Sequence, residues 1–523
     1  MARDAVDAVY VSLSDVAEIA GVGSSAVSNW RKRHEDFPPP RLQSAGGALF
    51  SLAEVERWLV ENGKISGPVP PSAVLWRIAD VVRRSWTPEE LRHFMLSALV
   101  YLVACERAAK GRLNIADEDR WESVQDVADE QLLNRLVAIG RRLEESNPPL
   151  QGLLVDGFSV TEAPGHAVRQ LLVALRAALS EEAADVELFH EFTDRMNRAD
   201  RFAQDYSTPD DLALLMVRLA EPLGETVADL AAGNGGLLLM AAVAAERGEP
   251  PTTLVGVDIN QDVIRHARAW FFIYDVDGDL RVDNSLRIPL EDLPSADTVL
   301  LDPPYGVGKW GDAELYLDDR WTYGAPPPSS ADFAWLQTAL HALRPGGRAV
   351  VLQPPRSTWS GGREGEIRAG MFDDGCIEGV IQLPERLRRN TSIPLTIWLL
   401  RSPERRQASQ EEILLVDASD LGTAGRHETE LGEREIDMIV DLVHLARSGD
   451  PIPKEHSGRA FRLSRVDLED SVITPSRCRD PIQSFDVDDL RARAAELRAG
   501  IDEDLPKVRR ALDMLQEVVG GST

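Results

Sequence analysis

Short apolar runs alternate with helical stretches between about residues 205 and 402. In chain order the runs are VADLA, LVGVDI, TVLLD, RAVVLQ, IEGVIQL and LTIWLL. Alternation of this kind is typical of a parallel β-sheet with helices on both faces. In such an open sheet, ligands bind at the carboxyl ends of the strands. The sequence therefore predicts an α/β domain whose functional residues directly follow its strands.

The segments that flank this alternation are predicted to be mainly helical. Residues 73–195 contain stretches such as LRHFMLSALVYLVACERAAK, which have helical periodicity. After residue 405, ILLVDAS predicts one more strand, and the remainder is predicted to be helical. We therefore expect a multi-domain α/β protein with domains at 1–66, 67–195, 196–420 and 421–523. The last domain ends in apolar residues at near-heptad spacing, which favour a partner helix: Val487, Leu490, Ala494, Leu497, Ile501, Leu505, Val508, Leu512 and Leu515.

Residues 10–62 have the pattern of a winged helix-turn-helix module. Gly21-Val22-Gly23 separates two short helices, Gly46-Gly47 can turn a β-hairpin wing, and an amphipathic helix follows. The second helix has a small polar start that suits base edges and a basic end that suits phosphates. The module resembles the winged helices of the excisionase and MerR-like group, although such a unit can instead dock to protein. The candidate DNA-binding residues are Ser25, Ser28, Asn29, Arg31, Lys32 and Arg33.

A glycine-rich loop, residues 229–236, follows one predicted strand and opens a helix. Its glycines allow close approach of the backbone to a ligand. Asp258 ends the next strand, where a carboxylate can accept hydrogen bonds from both ribose hydroxyls of a nucleoside cofactor. Asp283 follows the strand after that and can contact an adenine ring. A dinucleotide is the alternative ligand, but the loop lacks the full GxGxxG spacing.

The tetrapeptide Asp302–Tyr305 ends the run TVLLD. An exocyclic amino nitrogen is a poor nucleophile because its lone pair is delocalised into the base ring. Asp302 and the carbonyl of Pro303 can accept its two hydrogens and draw the lone pair back, while proline holds that carbonyl in place. Tyr305 can stack on a base that has been flipped out of the duplex. The tetrapeptide favours S-adenosylmethionine as the cofactor of the glycine-rich loop and predicts direct methyl transfer.

Charge and cysteine content narrow the class of protein. The formal net charge is −29, so we expect DNA to be held by a local basic patch or a more basic partner. Cys105, Cys376 and Cys478 lie far apart, which argues against disulfides and a metal site. None of them stands beside the proline that a cytosine-C5 mechanism needs. We see no signal peptide or membrane span and expect a cytoplasmic protein.

The most specific stretches begin at the tetrapeptide and continue beyond it: DPPYGVGKWGD, DDRWTYGAPPPSSADFAWLQ, LRPGGRAVVLQPP, GGREGEIRAGMFDDGCIEGVIQLP and NTSIPLTIWLL. With these, residues 73–450 resemble the modification subunit of type I restriction–modification systems, a γ-class amino-methyltransferase. The resemblance implies a Rossmann-like class I methyltransferase core and methylation of adenine N6. It also implies that Asp302, Pro303, Pro304 and Tyr305 form the catalytic tetrapeptide. The implied cofactor-binding residues are Thr208, Pro209, Asp229, Ala231, Gly233, Gly235, Gly236, Asp258, Ile259, Asp283 and Asn284.

Some positions depart from the pattern of that family. Asp302 stands where the family usually has Asn, and Ala232 and Asn234 stand where it usually has Cys and Thr. The segment Gln382–Leu387 lacks the aromatic residue that usually follows. The N-terminal winged helix is also outside the usual plan of a modification subunit.

The resemblance implies partners as well as an activity. Modification subunits of this type rely on a separate specificity subunit, and a restriction subunit and a homodimer within a larger complex are further expectations. No GxxxxGK[ST] loop occurs in this chain, so we do not expect it to be the translocating ATPase. The winged helix suggests a second option, an enzyme that brings its own DNA contact and works in a variant phage-defence system. Alternative functions are a catalytically silent DNA-bound regulator and methylation of cytosine N4 or of a protein glutamine.

Overall fold

The computed structural model describes residues 10–65, 86–179 and 208–476, apart from short gaps at 21, 35, 45–46, 161–164, 244–250, 313, 389–392, 404–411, 426–427 and 465–471. The predicted heptads between Val487 and Leu515, together with Cys478, lie outside the described residues.

The N-terminal module consists of three helices and a three-stranded sheet. Its elements are β1 (Tyr10–Val11), α1 (Leu13–Ile19), α2 (Ser24–Arg33), β2 (Pro40–Ser44), β3 (Gly47–Ser51) and α3 (Leu52–Glu61). The strands β2 and β3 form the antiparallel hairpin that was predicted, and β1 pairs with the other edge of β3. The side chains of Leu52, Val55, Trp58 and Leu59 are buried along one face of α3, as their spacing predicts.

Residues 86–179 form helices in the part of this segment that the structure describes. They are α4 (Pro88–Ala109), α5 (Trp121–Val124), α6 (Asp129–Ser146), α7 (Val155–Phe158) and α8 (Gly165–Leu179). The helix α4 begins with a capping box, because the Thr87 side chain accepts from the Glu90 backbone N–H while the Glu90 carboxylate accepts from that of Thr87. Its sequence is apolar nearly all round, and most of its side chains are buried.

The strands of the α/β region are β4 (Thr226–Asp229), β5 (Thr253–Asp258), β6 (Asp279–Val282), β7 (Ala296–Leu301), β8 (Leu343–Gln353), β9 (Ile377–Gln382), β10 (Thr396–Arg401), β11 (Glu412–Asp417) and β14 (Ala460–Ser464). In the part of the chain that the structure describes, they form one nine-stranded sheet with the order β14-β11-β9-β10-β8-β7-β4-β5-β6. The chain winds outward from β4 through β5 to β6 and then returns to place β7 on the other side of β4. The point where the direction of winding reverses is where open α/β sheets bind ligands.

Six helices accompany this sheet within the described part of residues 208–476. They are α9 (Asp210–Ala220), α10 (Gly236–Val243), α11 (Gln261–Tyr274), α12 (Asp332–Ala342), α13 (Arg363–Asp373) and α14 (Glu433–Ser448). The core divides into two large clusters: Leu300, Val350 and Leu352 belong to one, and Val299, Leu301 and Val351 belong to the other. The alternation along each strand places these side chains on opposite faces of the sheet, which explains the continuous apolar runs of the sequence.

The sheet differs from the expected parallel arrangement in two places. The strand β10 runs antiparallel to both β8 and β9, and β14 runs antiparallel to β11. The run LTIWLL is apolar whichever way the strand points, so the sequence pattern does not indicate the direction of the strand. The segment after residue 420, predicted to be helical, contains α14 but also β14 and a small hairpin of β12 (Thr423–Ala424) and β13 (Thr429–Glu430).

Candidate active site

Three aspartates stand at the carboxyl ends of neighbouring parallel strands. Asp229 ends β4, Asp258 ends β5, and Asp302 directly follows β7. The strand β4 lies between β5 and β7, so the sheet brings together residues from three separate stretches of sequence. Asp229 and Asp258 are almost fully buried, and 6% of the Asp302 side chain is exposed. This is the placement that the sequence predicted for the cofactor and catalytic residues.

The glycine-rich loop depends on backbone conformations that favour glycine. Gly233 and Gly235 have φ values of 52° and 81°, in the left-handed region. A Cβ on Gly235 would also approach Ala267 and Phe271 of α11 to 3.1 Å. The loop therefore rests directly on α11, and a side chain at this glycine would push it away.

Asp258 organises both the loop and the start of α11. Its Oδ2 accepts from the Gly233 backbone N–H at 3.0 Å, and its Oδ1 accepts from that of Asn260 at 2.8 Å. Burial raises the pKa of Asp258, and these backbone N–H groups oppose the rise. Each carboxylate oxygen can accept a second hydrogen bond, so Asp258 can still receive ribose hydroxyls.

The surroundings of Asp258 fit the predicted cofactor, S-adenosylmethionine. Ile259 is 68% exposed, which is unusual for a large apolar side chain and offers a surface to an adenine ring. Asp283 is exposed, Asn284 is half-buried, and the Asp283 backbone N–H donates to the Asp258 carbonyl at 3.0 Å. A buried carboxylate, an exposed apolar side chain and polar groups therefore meet at one edge of the sheet.

Asp229 is the most deeply buried of the three carboxylates, with 1% of its surface exposed. Its Oδ1 accepts from the Ala231 backbone N–H at 3.0 Å. Burial, followed by the negative charges of Asp302 and Asp258, raises the pKa of Asp229 well above its ordinary value. Ionisation of Asp229 is therefore unfavourable in the free chain, and a ligand with positive charge nearby would make it less so.

The tetrapeptide is held by contacts to all parts of the Asp302 carboxylate. Thr208 Oγ1 donates to Oδ2 at 2.7 Å, and the Tyr305 hydroxyl donates to Oδ1. Arg388 also donates to Oδ2, and its guanidinium lies over the Tyr305 ring at 5.3 Å from the centroid. Burial and then the Asp302 charge raise the pKa of Tyr305, which keeps its hydroxyl protonated. Pro303 is buried, whereas Pro304 is exposed.

The structure places Thr208 beside Asp302, and Pro209 immediately precedes α9. The helix is anchored by Asp211, whose carboxylate accepts from the backbone N–H of Leu431 at 2.8 Å. Thr208 is thus positioned by a contact that joins residues far apart in the chain.

Three supporting residues were not identified from the sequence. Arg388 contacts Asp302, and Asp332 accepts from the Gly306 backbone N–H at 3.0 Å, just after the tetrapeptide. Arg320 is fully buried and donates to the carbonyls of Ser285, Leu286 and Ile288, which fixes the loop after Asp283 and Asn284. The paired Asp318 and Arg320 in DDRW were a possible signal, because a buried arginine needs several acceptors.

The predicted DNA-binding residues share one helix of the N-terminal module. Ser25, Asn29, Arg31, Lys32 and Arg33 are exposed on α2, and Ser28 is half-buried. The three basic residues fall in the last turn of the helix, and the guanidinium of Arg31 lies over the Phe50 ring at 5.3 Å.

Two further expectations concern metals and membranes. Among the described residues, no group of three or more His, Cys, Asp or Glu side chains could hold a metal ion. Within the same portion of the chain, no helix is both long and apolar enough to cross a membrane. Cys105 and Cys376 are buried free thiols, and burial raises the pKa of each to about 11.

Known proteins of one family resemble this chain in sequence. The sequence profile of the family described as "N-6 DNA Methylase" matches residues 190–479. The type I restriction enzyme HindI methylase subunit of Haemophilus influenzae is 27% identical over 359 residues, which cover 64% of this chain and 80% of that protein. The MpnII methylase subunit of Mycoplasma pneumoniae is 24% identical over 77% of this chain and 80% of its own length.

Solved structures share the fold. The methyltransferase subunit of a type I restriction–modification system from Streptococcus thermophilus superposes with a TM-score of 0.64 and 20% identity, covering 78% of this chain and 98% of that one. A chain from a type I restriction–modification assembly gives 0.61 with 18% identity, covering 86% and 98%. The family match favours adenine N6 over cytosine N4, a protein glutamine or a silent regulator. The chain therefore belongs to the N-6 DNA methylase family and is an S-adenosylmethionine-dependent DNA methyltransferase that acts on adenine N6.

Proposed function

We propose that this chain is the modification component of a type I-like restriction–modification or phage-defence system, and that Asp302 activates the target adenine. The observation that carries the assignment of Asp302 is its position directly after β7, beside the strand that ends at Asp229. The catalytic and cofactor groups thus lie on adjacent strands. The type I role is supported by relatives that are named as methylase subunits of type I restriction enzymes.

In the proposed mechanism, the tetrapeptide holds the flipped base by its amino group and its ring. Asp302 accepts one N6 hydrogen and the carbonyl of Pro303 accepts the other, so the nitrogen lone pair leaves the ring and points toward the cofactor. An anionic acceptor also stabilises the positive charge that develops on N6. Tyr305 provides a flat surface for the base.

The cofactor residues bind and orient S-adenosylmethionine at the neighbouring strand ends. When bound, the cofactor supplies an electrophilic methyl group on a positively charged sulfur. Asp258 accepts from the ribose, and Ile259, Asp283 and Asn284 border the adenine. The ionised form of Asp229 would favour the sulfonium over the neutral product, and the glycines of the loop would let its backbone approach the ligand.

We propose that α2 contacts duplex DNA and that the chain works with partners. The exposed basic end of α2 supplies a local cluster of positive charge in a chain whose net charge is −29. A specificity subunit would read the DNA sequence, with residues 421–523 as the proposed contact region. A restriction subunit and a second copy of this chain would complete the assembly, in the cytoplasm where host DNA lies.

The test is a modified-base map of the host genome with the intact gene, with Asp302→Ala and with Asp302→Asn. Asp302→Ala removes the acceptor, so one methylated adenine motif should disappear. Asp302→Asn keeps an acceptor oxygen and matches the residue usual in the resembled family, so the motif should persist at a reduced level. A map that is unchanged by Asp302→Ala, with the protein expressed, would contradict the assignment.

A further inference from the structure

Arg388 makes two contacts with the catalytic tetrapeptide. Its Nη2 donates to Asp302 Oδ2, and its guanidinium carbon lies 5.3 Å from the centroid of the Tyr305 ring. The side chains of Arg388 and Asp302 are 17% and 6% exposed, so the ion pair is largely shielded from water. Arg388 lies in the loop between β9 and β10. It follows Asp302 by 86 residues in the chain.

These are the two contacts that the target adenine is proposed to make. A guanidinium is flat and delocalised, carries N–H donors and stacks on aromatic rings, as an aminopurine does. We infer that Arg388 occupies the target-base position in the free chain and that the flipped adenine must displace it. The base position is the space bounded by the Asp302 carboxylate and the Tyr305 ring. This inference rests on the proposed function, because it assumes that Asp302 and Tyr305 hold the base.

Of the three donors to Asp302, Arg388 is the one best suited to leave. Thr208 is fixed beside α9, whose Asp211 is tied to Leu431, and Tyr305 is needed as the stacking surface. The backbone at Arg386 is itself held, because its carbonyl accepts from the Thr429 N–H at 2.8 Å. A long arginine side chain can swing away while that backbone stays in place.

Bound DNA would offset the loss of the ion pair. Displacing Arg388 separates two charges that compensate each other in a shielded site, which is unfavourable unless each finds a new partner. The adenine amino group then donates to Asp302, and a neighbouring DNA phosphate offers the guanidinium an anion with matching geometry. The base position would thus open more readily where a duplex is present.

The inference is tested by titrating the full-length protein with 2′-deoxyadenosine in a calorimeter, because this nucleoside has no phosphate to pair with a displaced guanidinium. Saturating S-adenosylhomocysteine fills the cofactor site, so that the nucleoside is restricted to the base position. If Arg388 blocks this position for most of the time, Arg388→Ala should bind the nucleoside about tenfold more tightly than the unmodified chain. Thymidine, which lacks an exocyclic amino group, should show a much smaller gain.

Two further variants keep the test decisive. Arg434→Ala removes the same charge from the exposed surface of α14 and should leave nucleoside affinity unchanged. Arg388→Lys keeps the charge beside Asp302 but lacks a flat group over Tyr305, so it should give a smaller gain in the same direction. This second variant also serves as the test if Arg388→Ala fails to fold. Equal or weaker nucleoside binding by the folded Arg388 variants would overturn the inference. Failure of the unmodified chain to bind S-adenosylhomocysteine would instead count against the proposed cofactor site.

Discussion

The three site aspartates have different environments although they share one sheet edge. Asp258 receives two backbone N–H groups, Asp229 receives one and is the more buried, and Asp302 receives side-chain donors. Burial of Asp229 raises its pKa well above the ordinary value, which means that its ionised form destabilises the free chain. A residue placed at a stability cost is expected where it serves ligand binding.

We therefore predict that Asp229→Asn raises the melting temperature of the free protein and weakens its binding of S-adenosylmethionine. The amide keeps an oxygen for the Ala231 N–H but removes a buried charge, with a gain of roughly 1–3 kcal/mol. A raised pKa means that the favourable, protonated state of Asp229 is lost as pH rises through the folded-state pKa. The stability difference between variant and parent should thus grow with rising pH.

The control for this prediction is Asp312→Asn. Asp312 is exposed, and the Leu315 backbone N–H and then Arg287 lower its pKa, so removing its charge should not stabilise the protein. Thermal melts over a pH series and calorimetric titration with the cofactor measure both effects. A variant of Asp229 that melts lower than the parent at neutral pH would contradict this account.

At the scale of elements, α11 connects the cofactor loop to the helical region. One part of α11 contacts Gly235 through Ala267 and Phe271, and His266 of the same helix meets His93 of α4 edge-on, with ring centroids 5.5 Å apart. Burial, followed by the nearby charge of Arg265, lowers the pKa of His93 to about 4, and burial lowers that of His266 well below its ordinary value. Protonation of this pair therefore opposes packing of α4 against α11.

We predict that stability falls as pH drops from about 7 to about 5, because both histidines bind protons more readily in the unfolded chain. A lowered pKa gives a contribution that is present above the unfolded pKa and lost below it. For His93 the loss builds up as the pH falls from the ordinary pKa of 6.5 toward about 4. The double variant His93→Gln/His266→Gln should flatten the profile measured by chemical denaturation.

The control for the histidine pair is His456→Gln. His456 lies on the turn before β14 and is distant from α4 and α11 in the chain. It should keep the acid sensitivity of the parent protein. A double variant with the parent's full dependence on pH would show that this helix contact is not the acid-sensitive element.

At the scale of the whole molecule, a net charge of −29 conflicts with DNA binding unless positive charge is concentrated locally. The last turn of α2 has three exposed basic residues in succession.

We predict that the triple variant Arg31→Ala/Lys32→Ala/Arg33→Ala weakens duplex binding by the full chain at every sequence. The slope of log affinity against log salt should become shallower by about 1 for each phosphate that the helix no longer neutralises. Fluorescence anisotropy over a salt series measures this slope. Arg141→Ala, on the exposed surface of α6, is the control, and an unchanged slope in the triple variant would rule out α2 as the DNA-binding helix.

The parts of the site that sequence reasoning located are those that strand periodicity controls. Asp229, Asp258 and Asp302 each follow an apolar run, so their common edge follows from the topology of a parallel sheet. Arg320 and Arg388 were missed because their roles depend on contacts between segments distant in sequence. Strand direction was missed for β10, since an apolar run has no polarity.

Two of the departures from the pattern of the resembled family are connected only in the folded chain. Asp302 replaces an asparagine of the resembled family, and Arg388 falls at the position following the segment where an aromatic residue is usual. In the folded chain these two residues form an ion pair. A new negative charge and a new positive charge thus compensate each other, which neither segment reveals alone.

The long-range contacts of Thr208 have a consequence for synthesis on the ribosome. Asp302 contacts Thr208, 94 residues earlier, and Arg388, 86 residues later, while Asp211 binds Leu431, 220 residues further on. Arg447 then donates to the Leu219 carbonyl across 228 residues. Because a contact cannot form before both partners have been synthesised, the glycine-rich loop leaves the ribosome before the segments that anchor α9 and Asp302. The contacts that anchor α9 would therefore be completed only after translation has passed Arg447.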